Sequence, residues 1–230
     1  MSRHISEQYD NELESARNLL LELGGLVEHQ VQQACLALYS HDAKLAEEVR
    51  AGDRQINLME VEIDELCVQI IARRQPAATD LRTLISILKA GTDLERVGDE
   101  AKRIAKMVIE VANLEVPGDQ YGAIRDMTAK VILMLGTALD AFTRSSAEAA
   151  VEVIEMDDAV DDAYDEIVRH LGAEMKARPE NIEQLLTVLW IARALERCGD
   201  HAKNLSEHII YLVKGQDVRH GDPAAVVSEG

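Results

Sequence analysis

Two pairs of acidic residues carry the first chemical signal in this chain: Glu95 with Asp99, and Glu196 with Asp200. The i, i+4 spacing sets both carboxylates of a pair on one face of an α-helix, about one turn apart. Like charges so placed cost roughly 0.2–0.5 kcal/mol, so their presence in two places asks for a reason other than helix stability. Glu95 and Glu196 also lie well inside their predicted helices, beyond the reach of the helix dipole. A second acidic row, Asp53, Asn57, Glu60 and Asp64, advances in steps of four, three and four and forms one stripe of another helix. Its counterpart runs Asp157, Asp161, Tyr164 and Val168, with Asp158, Asp162 and Asp165 beside it. Where the two helices are neighbours, oxygen-bearing side chains converge twice. Such ligands suit hard divalent cations.

Ordinary helix chemistry offers a competing account. Asp53 and Asp157 read as helix starts, where capping and the macrodipole favour acids. Asp99 can pair with Lys102 or Arg103, and Asp200 with Lys203, giving a solvated charged face. Both i, i+4 pairs lie opposite the apolar stripes Val97, Ala101, Ile104, Val108 and Cys198, Ala202, Leu205, Ile209, which predicts exposure on the outside of a bundle.

Repetition weighs for the first account. Residues 94–103 read LERVGDEAKR and residues 195–204 read LERCGDHAKN. Upstream, Val27, Val31, Ala34 and Leu38 match Val131, Leu135, Ala138 and Phe142 at an offset of 104, as Asp53 matches Asp157. After Pro76 and Pro179 the offset shortens to 101, as duplication with one small deletion produces.

The elements that must position these residues are helical nearly throughout. A long first helix carries Leu19 to Leu38, and His41–Arg50 reads as a short connecting helix. A second helix runs from Asp53 to the break at Arg74-Gln75-Pro76, and a third, capped by Thr79 or Asp80, continues to about Ala112. Asn113–Tyr121, with Pro117-Gly118, reads as a linker. The second half repeats this order, which predicts an all-α fold of two pseudo-symmetric three-helix bundles: residues 1–115, residues 116–218, and a frayed tail over 219–230.

Composition narrows the function. Hydrophobic residues make up 47% of the chain but aromatic ones only 3%, so the cores are aliphatic. A net charge of −18 repels nucleic-acid phosphate. Cys35, Cys67 and Cys198 are odd in number and lack C-x-x-C spacing, indicating neither a disulfide framework nor a zinc knuckle. No signal-peptide core and no apolar run near the ~20 residues of a membrane span is present. The simplest expectation is a reduced, cytoplasmic protein that reaches a membrane only through partners. No phosphate-cradling P-loop, no H-E-x-x-H and no nucleophile–base arrangement is legible, so neither an organic cofactor nor an enzyme is expected. His29, His170, His201 and His208 read as surface or packing residues. The Glu-x-x-His pairs of di-iron bundles are missing, which weighs against a metal-storage or redox bundle, the alternative function.

The doubled L-E-R-x-G-D-x-A-K, the segment Arg73-Arg-Gln-Pro-Ala-Ala-Thr-Asp-Leu-Arg82 and the ending Tyr211-Leu-Val-Lys-Gly-Gln-Asp-Val-Arg-His220 together resemble the PhoU family, phosphate-signalling regulators of bacteria. The similarity covers essentially residues 4–220. It implies two tandem three-helix repeats and an adaptor that negatively regulates the phosphate regulon. Its implied partners are the phosphate sensor histidine kinase, the nucleotide-binding subunit of the phosphate ABC transporter, and a second copy in a homodimer. It also implies metal binding by paired E/D-x-x-x-D motifs, which fall on Asp53/Asn57, Glu95/Asp99, Asp157/Asp161 and Glu196/Asp200. The metal is left open among Mg²⁺, Mn²⁺, Fe and Zn²⁺. Asn57 departs from the acidic pattern, so copy one is expected to hold a cation more weakly than copy two.

Overall fold

The structure, a computed structural model, describes residues 2–111 and 120–228. Six long helices dominate: α1 (Ser2–Ser40), α2 (Ala43–Arg74), α3 (Ala78–Val111), α4 (Gln120–Arg144), α5 (Ala147–Ala177) and α6 (Ile182–Lys214). A single 3-10 turn, Pro179–Asn181, precedes α6, and a short α7 (Pro223–Ser228) follows it. Among the described residues there is no strand, as the helical periodicity predicts. Helices α1–α3 pack together as one three-helix unit and α4–α6 as the other. The linker expected at Asn113–Tyr121 lies, up to residue 119, outside the described residues.

Local chemistry repeats with the sequence. Asp42 accepts the Leu45 amide at 3.0 Å and caps α2, while Ser146, 104 residues on, accepts the Ala149 amide at 3.2 Å and caps α5. The residue before each cap, His41 or Ser145, holds a positive φ of 52° or 50°, so both repeats make the same tight turn. The copies diverge at the next connection. Gln75 ends α2 in the left-handed region, whereas the 3-10 turn at Pro179 leads into α6. The three-residue change in offset falls there.

Three local expectations are corrected. No separate helix spans His41–Arg50, because α2 runs unbroken from Ala43 through Gly52 and Asp53. Gly52 does not break it; the Gln30 side chain fills the space a Cβ would take. Thr79 and Asp80 lie inside the first turn of α3 rather than capping it. The tail expected to fray over 219–230 instead carries α7, where Val226 and Val227 pack on the core and Lys214 Nζ donates to the Val227 carbonyl at 3.1 Å.

Buried aliphatic side chains of both units form one continuous core. The halves meet chiefly where α3 lies against α6, with a second contact of α1 on α4. Tyr39 and Thr128 share a 2.8 Å hydrogen bond at that second contact. Polar pairs fix the register of the α3–α6 seam. Glu100, 3% exposed, receives Arg197 at 3.0 Å. Asp93 Oδ1 contacts His201 Nδ1 at 2.9 Å and accepts Asn204 Nδ2 at 3.2 Å, while Oδ2 contacts His208 Nε2 at 3.0 Å. His201 and His208 are thus packing residues, as expected.

Burial opposes ionisation of Asp93, but the bonds from His201, His208 and Asn204 prevail and hold its carboxyl well below the usual carboxylate range. A depressed folded-state pKa contributes stability above the unfolded carboxyl's value of about 4 and loses it progressively as pH falls below that. Asp93→Asn is therefore expected to lower the urea midpoint at neutral pH, and its deficit against the unsubstituted protein should shrink on going below about pH 4. Paired urea titrations across pH check this.

Candidate metal centre

The glycine of the doubled motif brings the acidic rows together. A Cβ on Gly98 would stand 2.9 Å from Ile56 Cδ1, and one on Gly199 would stand 3.3 Å from Val160 Cγ1. Without a side chain at these points, α3 closes on α2 and α6 on α5. The E-R-x-G-D phrase thus reads as one device, in which the glycine sets the approach and the acids three residues before and one residue after it line the same groove.

Asp53 and Asp157 sit mid-helix, eleven residues into α2 and α5, so they are not capping residues. They are 6% and 2% exposed, nearly sealed against the neighbouring helix. Glu95 and Asp200 are half-buried and Asp99 is exposed, whereas Glu196 is buried at 8% exposure. The expected outer face is therefore an interhelical groove in both copies. The third helix of each unit packs on its own two partners and on the other third helix, which leaves it little free surface.

Carboxylates within each predicted set act on one another. Burial pushes the Glu95 carboxyl up, and the negative charges of Asp99, Glu60 and Asp53 push it further. In copy two, burial raises Glu196, reinforced by Asp200, Asp161 and Asp157 and opposed by Arg193. Burial likewise raises Asp161, together with Asp157 and Asp200, and it raises Asp200, together with Asp157. Asn57 joins copy one by donating Nδ2 to Asp53 Oδ2 at 3.3 Å.

Cationic side chains of the same motifs reach into both grooves. Lys102 Nζ donates to Asp53 Oδ2 at 2.7 Å and stands 3.6 Å from Asp99 Oδ1. Lys203 Nζ donates to Asp157 Oδ2 at 2.5 Å. Lys203 thus pairs across the helices with Asp157, not with Asp200 on its own helix as expected. Arg193 binds Glu196 and places its guanidinium 5.7 Å from the Tyr164 ring centroid. These three cations were missed as members of the sites, although the lysine recurs at the same motif position in both copies.

The oxygens left over fit a cation by type. Asp53 Oδ1, Asn57 Oδ1 and Glu196 Oε2 are buried and accept no hydrogen bond, a costly state for an acceptor. Among the described residues no three Asp, Glu, His or Cys side chains already surround a common point, so metal binding requires side-chain rearrangement. The copies differ in more than Asn57. Copy one adds Glu60 where copy two has Tyr164, and copy two adds Arg193 where copy one has Thr92. Both differences act against the affinity order expected from Asn57 alone.

The PhoU domain model matches twice, over residues 20–108 and 124–209, and each match encloses one acidic groove. The chain belongs to the PhoU family. A PhoU homolog from Pseudomonas putida, named a phosphate-specific transport system accessory protein, is 48% identical over 220 residues, covering 96% of this chain and 86% of its own. The PhoU of Escherichia coli K12, similarly named, is 41% identical over 220 residues, covering 96% and 91%. The crystal structure of PhoU from Pseudomonas aeruginosa superposes with a TM-score of 0.87 at 47% identity, covering 90% of this chain and all of that one. The PhoU fold of tandem three-helix units is thereby shown.

The glycine contacts carry a direct expectation. Overpacking a core costs typically about 1–3 kcal/mol, against a helix-propensity gain of about 1 for alanine over glycine. Gly98→Ala is therefore expected to destabilise, and more than Gly199→Ala, whose Cβ meets a smaller neighbour at longer range. Urea midpoints of the two variants measure the order, and Ile56→Val should relieve part of the Gly98→Ala loss.

Proposed function

We propose that this protein is a regulatory accessory of phosphate-specific transport. In this reading it couples the high-affinity phosphate ABC transporter, through the nucleotide-binding subunit, to the phosphate sensor histidine kinase, and restrains that kinase when phosphate is plentiful. The observation that carries the reading is a relationship running through 96% of the chain to proteins named accessory proteins of phosphate-specific transport. No helix of the described residues is long and apolar enough to cross a membrane. We place the protein in the cytoplasm, at the membrane through its partners and as a homodimer. It acts by binding, not by covalent catalysis.

A binding partner moves a two-state kinase only through unequal affinity for the two states, and carrying it from 99:1 to 1:99 takes about 5.5 kcal/mol of preference. Recruitment to the transporter would raise the local concentration of adaptor and kinase together. The two acidic grooves would hold divalent cations, Mg²⁺, Mn²⁺, Fe or Zn²⁺, through Asp53, Asn57, Glu95 and Asp99 in copy one and Asp157, Asp161, Glu196 and Asp200 in copy two. The partnerless buried oxygens Asp53 Oδ1, Asn57 Oδ1 and Glu196 Oε2 support that assignment. A cation there would tie α2 to α3 and α5 to α6 and change the charge each groove presents.

Deleting the gene and following a phosphate-starvation reporter in high phosphate tests the regulatory role. High reporter output is expected; output that stays low contradicts the reading. Pull-downs of the sensor kinase and the transporter's nucleotide-binding subunit across salt concentrations test the partners, with capture expected to weaken as salt rises. Failure to capture either at any ionic strength removes the mechanism.

A further inference from the structure

Two lysines occupy equivalent places in the two grooves, and each meets a nearly sealed carboxylate. Lys102 Nζ takes one oxygen of Asp53 at 2.7 Å, while the other oxygen, Oδ1, is buried without any hydrogen bond. Lys203 repeats the contact on Asp157 at 2.5 Å. The Lys102 and Lys203 side chains are 42% and 38% exposed, against 8% and 4% for their aspartates. The ammonium therefore sits at the mouth and the carboxylate at the floor. A lysine so placed can swing into water on its flexible stem while its aspartate cannot follow.

The positive charge at hand is outnumbered by carboxylates in both grooves. In copy one Lys102 meets Asp53 and, at 3.6 Å, Asp99, while Glu95 feels Asp99, Glu60 and Asp53 against Arg96. In copy two Lys203 and Arg193 between them face Asp157, Asp161, Glu196 and Asp200. Lysine and a divalent cation held on one carboxylate repel each other across a few ångströms, so binding of the dication works against the ammonium's place in the groove. We propose, building on the reading of these grooves as cation sites, that Lys102 and Lys203 are built-in surrogate cations, held in the grooves without metal and displaced into solvent when a divalent cation binds. Loading then does two things at once. It replaces an internal ion pair with a bound dication, and it presents a freed ammonium on the surface of that groove. Each ion bound raises the charge of its face by two and changes what an acid-reading or base-reading partner meets there. Displacement is simpler in copy one, where Lys102 alone bridges to the buried aspartate, than in copy two, where Arg193 also holds Glu196.

A purely structural salt bridge and a displaceable surrogate differ in what removing the lysine does to metal binding. The probe is Mn²⁺, titrated calorimetrically into the chelator-treated full-length protein, the Lys102→Met/Lys203→Met double variant and the corresponding double Arg variant. Methionine keeps most of the stem and removes the competitor, so Mn²⁺ should bind on the order of tenfold more tightly, the scale of one charge-assisted hydrogen bond. Arginine restores a competitor and should return the affinity to that of the unsubstituted protein or below it. Without metal, the Met variant should melt below the unsubstituted protein because Asp53 and Asp157 lose their counter-charges, and Mn²⁺ should raise its Tm by the larger increment. If it is unfolded without metal, Mn²⁺ should restore its helical circular dichroism, and failure to do so overturns the proposal. Equal or weaker Mn²⁺ binding by a folded Met variant, beside clear binding by the unsubstituted protein, also overturns displacement and leaves the cation sites standing. No binding by any of the three proteins up to millimolar Mn²⁺ overturns the sites themselves, and the displacement with them.

Discussion

Asp53 and Asp157 impose the constraint around which the rest of this structure is organised. Each is a carboxylate in the middle of a long helix, nearly sealed from water, in a chain of net charge −18. A carboxylate so placed must be met by positive charge, because an isolated buried ion costs far more than any local contact returns. The third helix of each repeat brings that charge, as Lys102 and Lys203, three residues after the motif aspartate. It can do so only because Gly98 and Gly199 let it approach its neighbour. Glycine, acid pair and lysine are one mechanical unit, which is why they recur together 101 residues apart.

The same duplication explains the shape of the whole and the places where the halves part company. Equivalent turns at His41 and Ser145, and equivalent caps at Asp42 and Ser146, place α2 on α3 and α5 on α6 alike. The seam between α3 and α6 is where the symmetry is given up. Asp93, His201, Asn204 and His208 form a cluster there whose counterparts at the same offset are Ala194, Glu100, Arg103 and Met107. Two copies of one unit could pair through identical self-complementary patches, but here each half supplies different side chains to the shared surface. The acidic grooves lie away from that seam and kept most of their chemistry, with the exchanges of Asn57 for Asp161, Glu60 for Tyr164 and Thr92 for Arg193 as the exceptions.

Much of this was legible in the sequence because it rests on spacing. Helical periods, the breaks at Pro76 and Pro179 and the repeat offset follow from one-dimensional patterns, and the all-α architecture bears them out. What spacing could not show was depth. Asp53, following a segment that reads as a short connecting helix, has the residue type of a helix start; that α2 instead runs unbroken past Gly52, with Gln30 beside it, depends on α1, far away in sequence. Glu196 reads as exposed on its own helix and becomes buried only because α6 is surrounded. Lys203 had a nearby acid on its own helix at i−3, yet its partner lies across the groove, 46 residues away. Cross-helix partners of this kind, Asp93 with His201 and His208 among them, leave no periodic trace.

The central physical claim is that each groove is a cation site whose present occupant is an ammonium. Crystals of the full-length protein grown with Mn²⁺, with data collected for anomalous scattering from manganese, address it atom by atom. The account predicts two peaks, one between α2 and α3 and one between α5 and α6, each within coordination distance of Asp53 or Asp157, with Lys102 Nζ and Lys203 Nζ turned out into solvent. Grooves without an anomalous peak, or peaks elsewhere while both lysines still hold their aspartates, would contradict it.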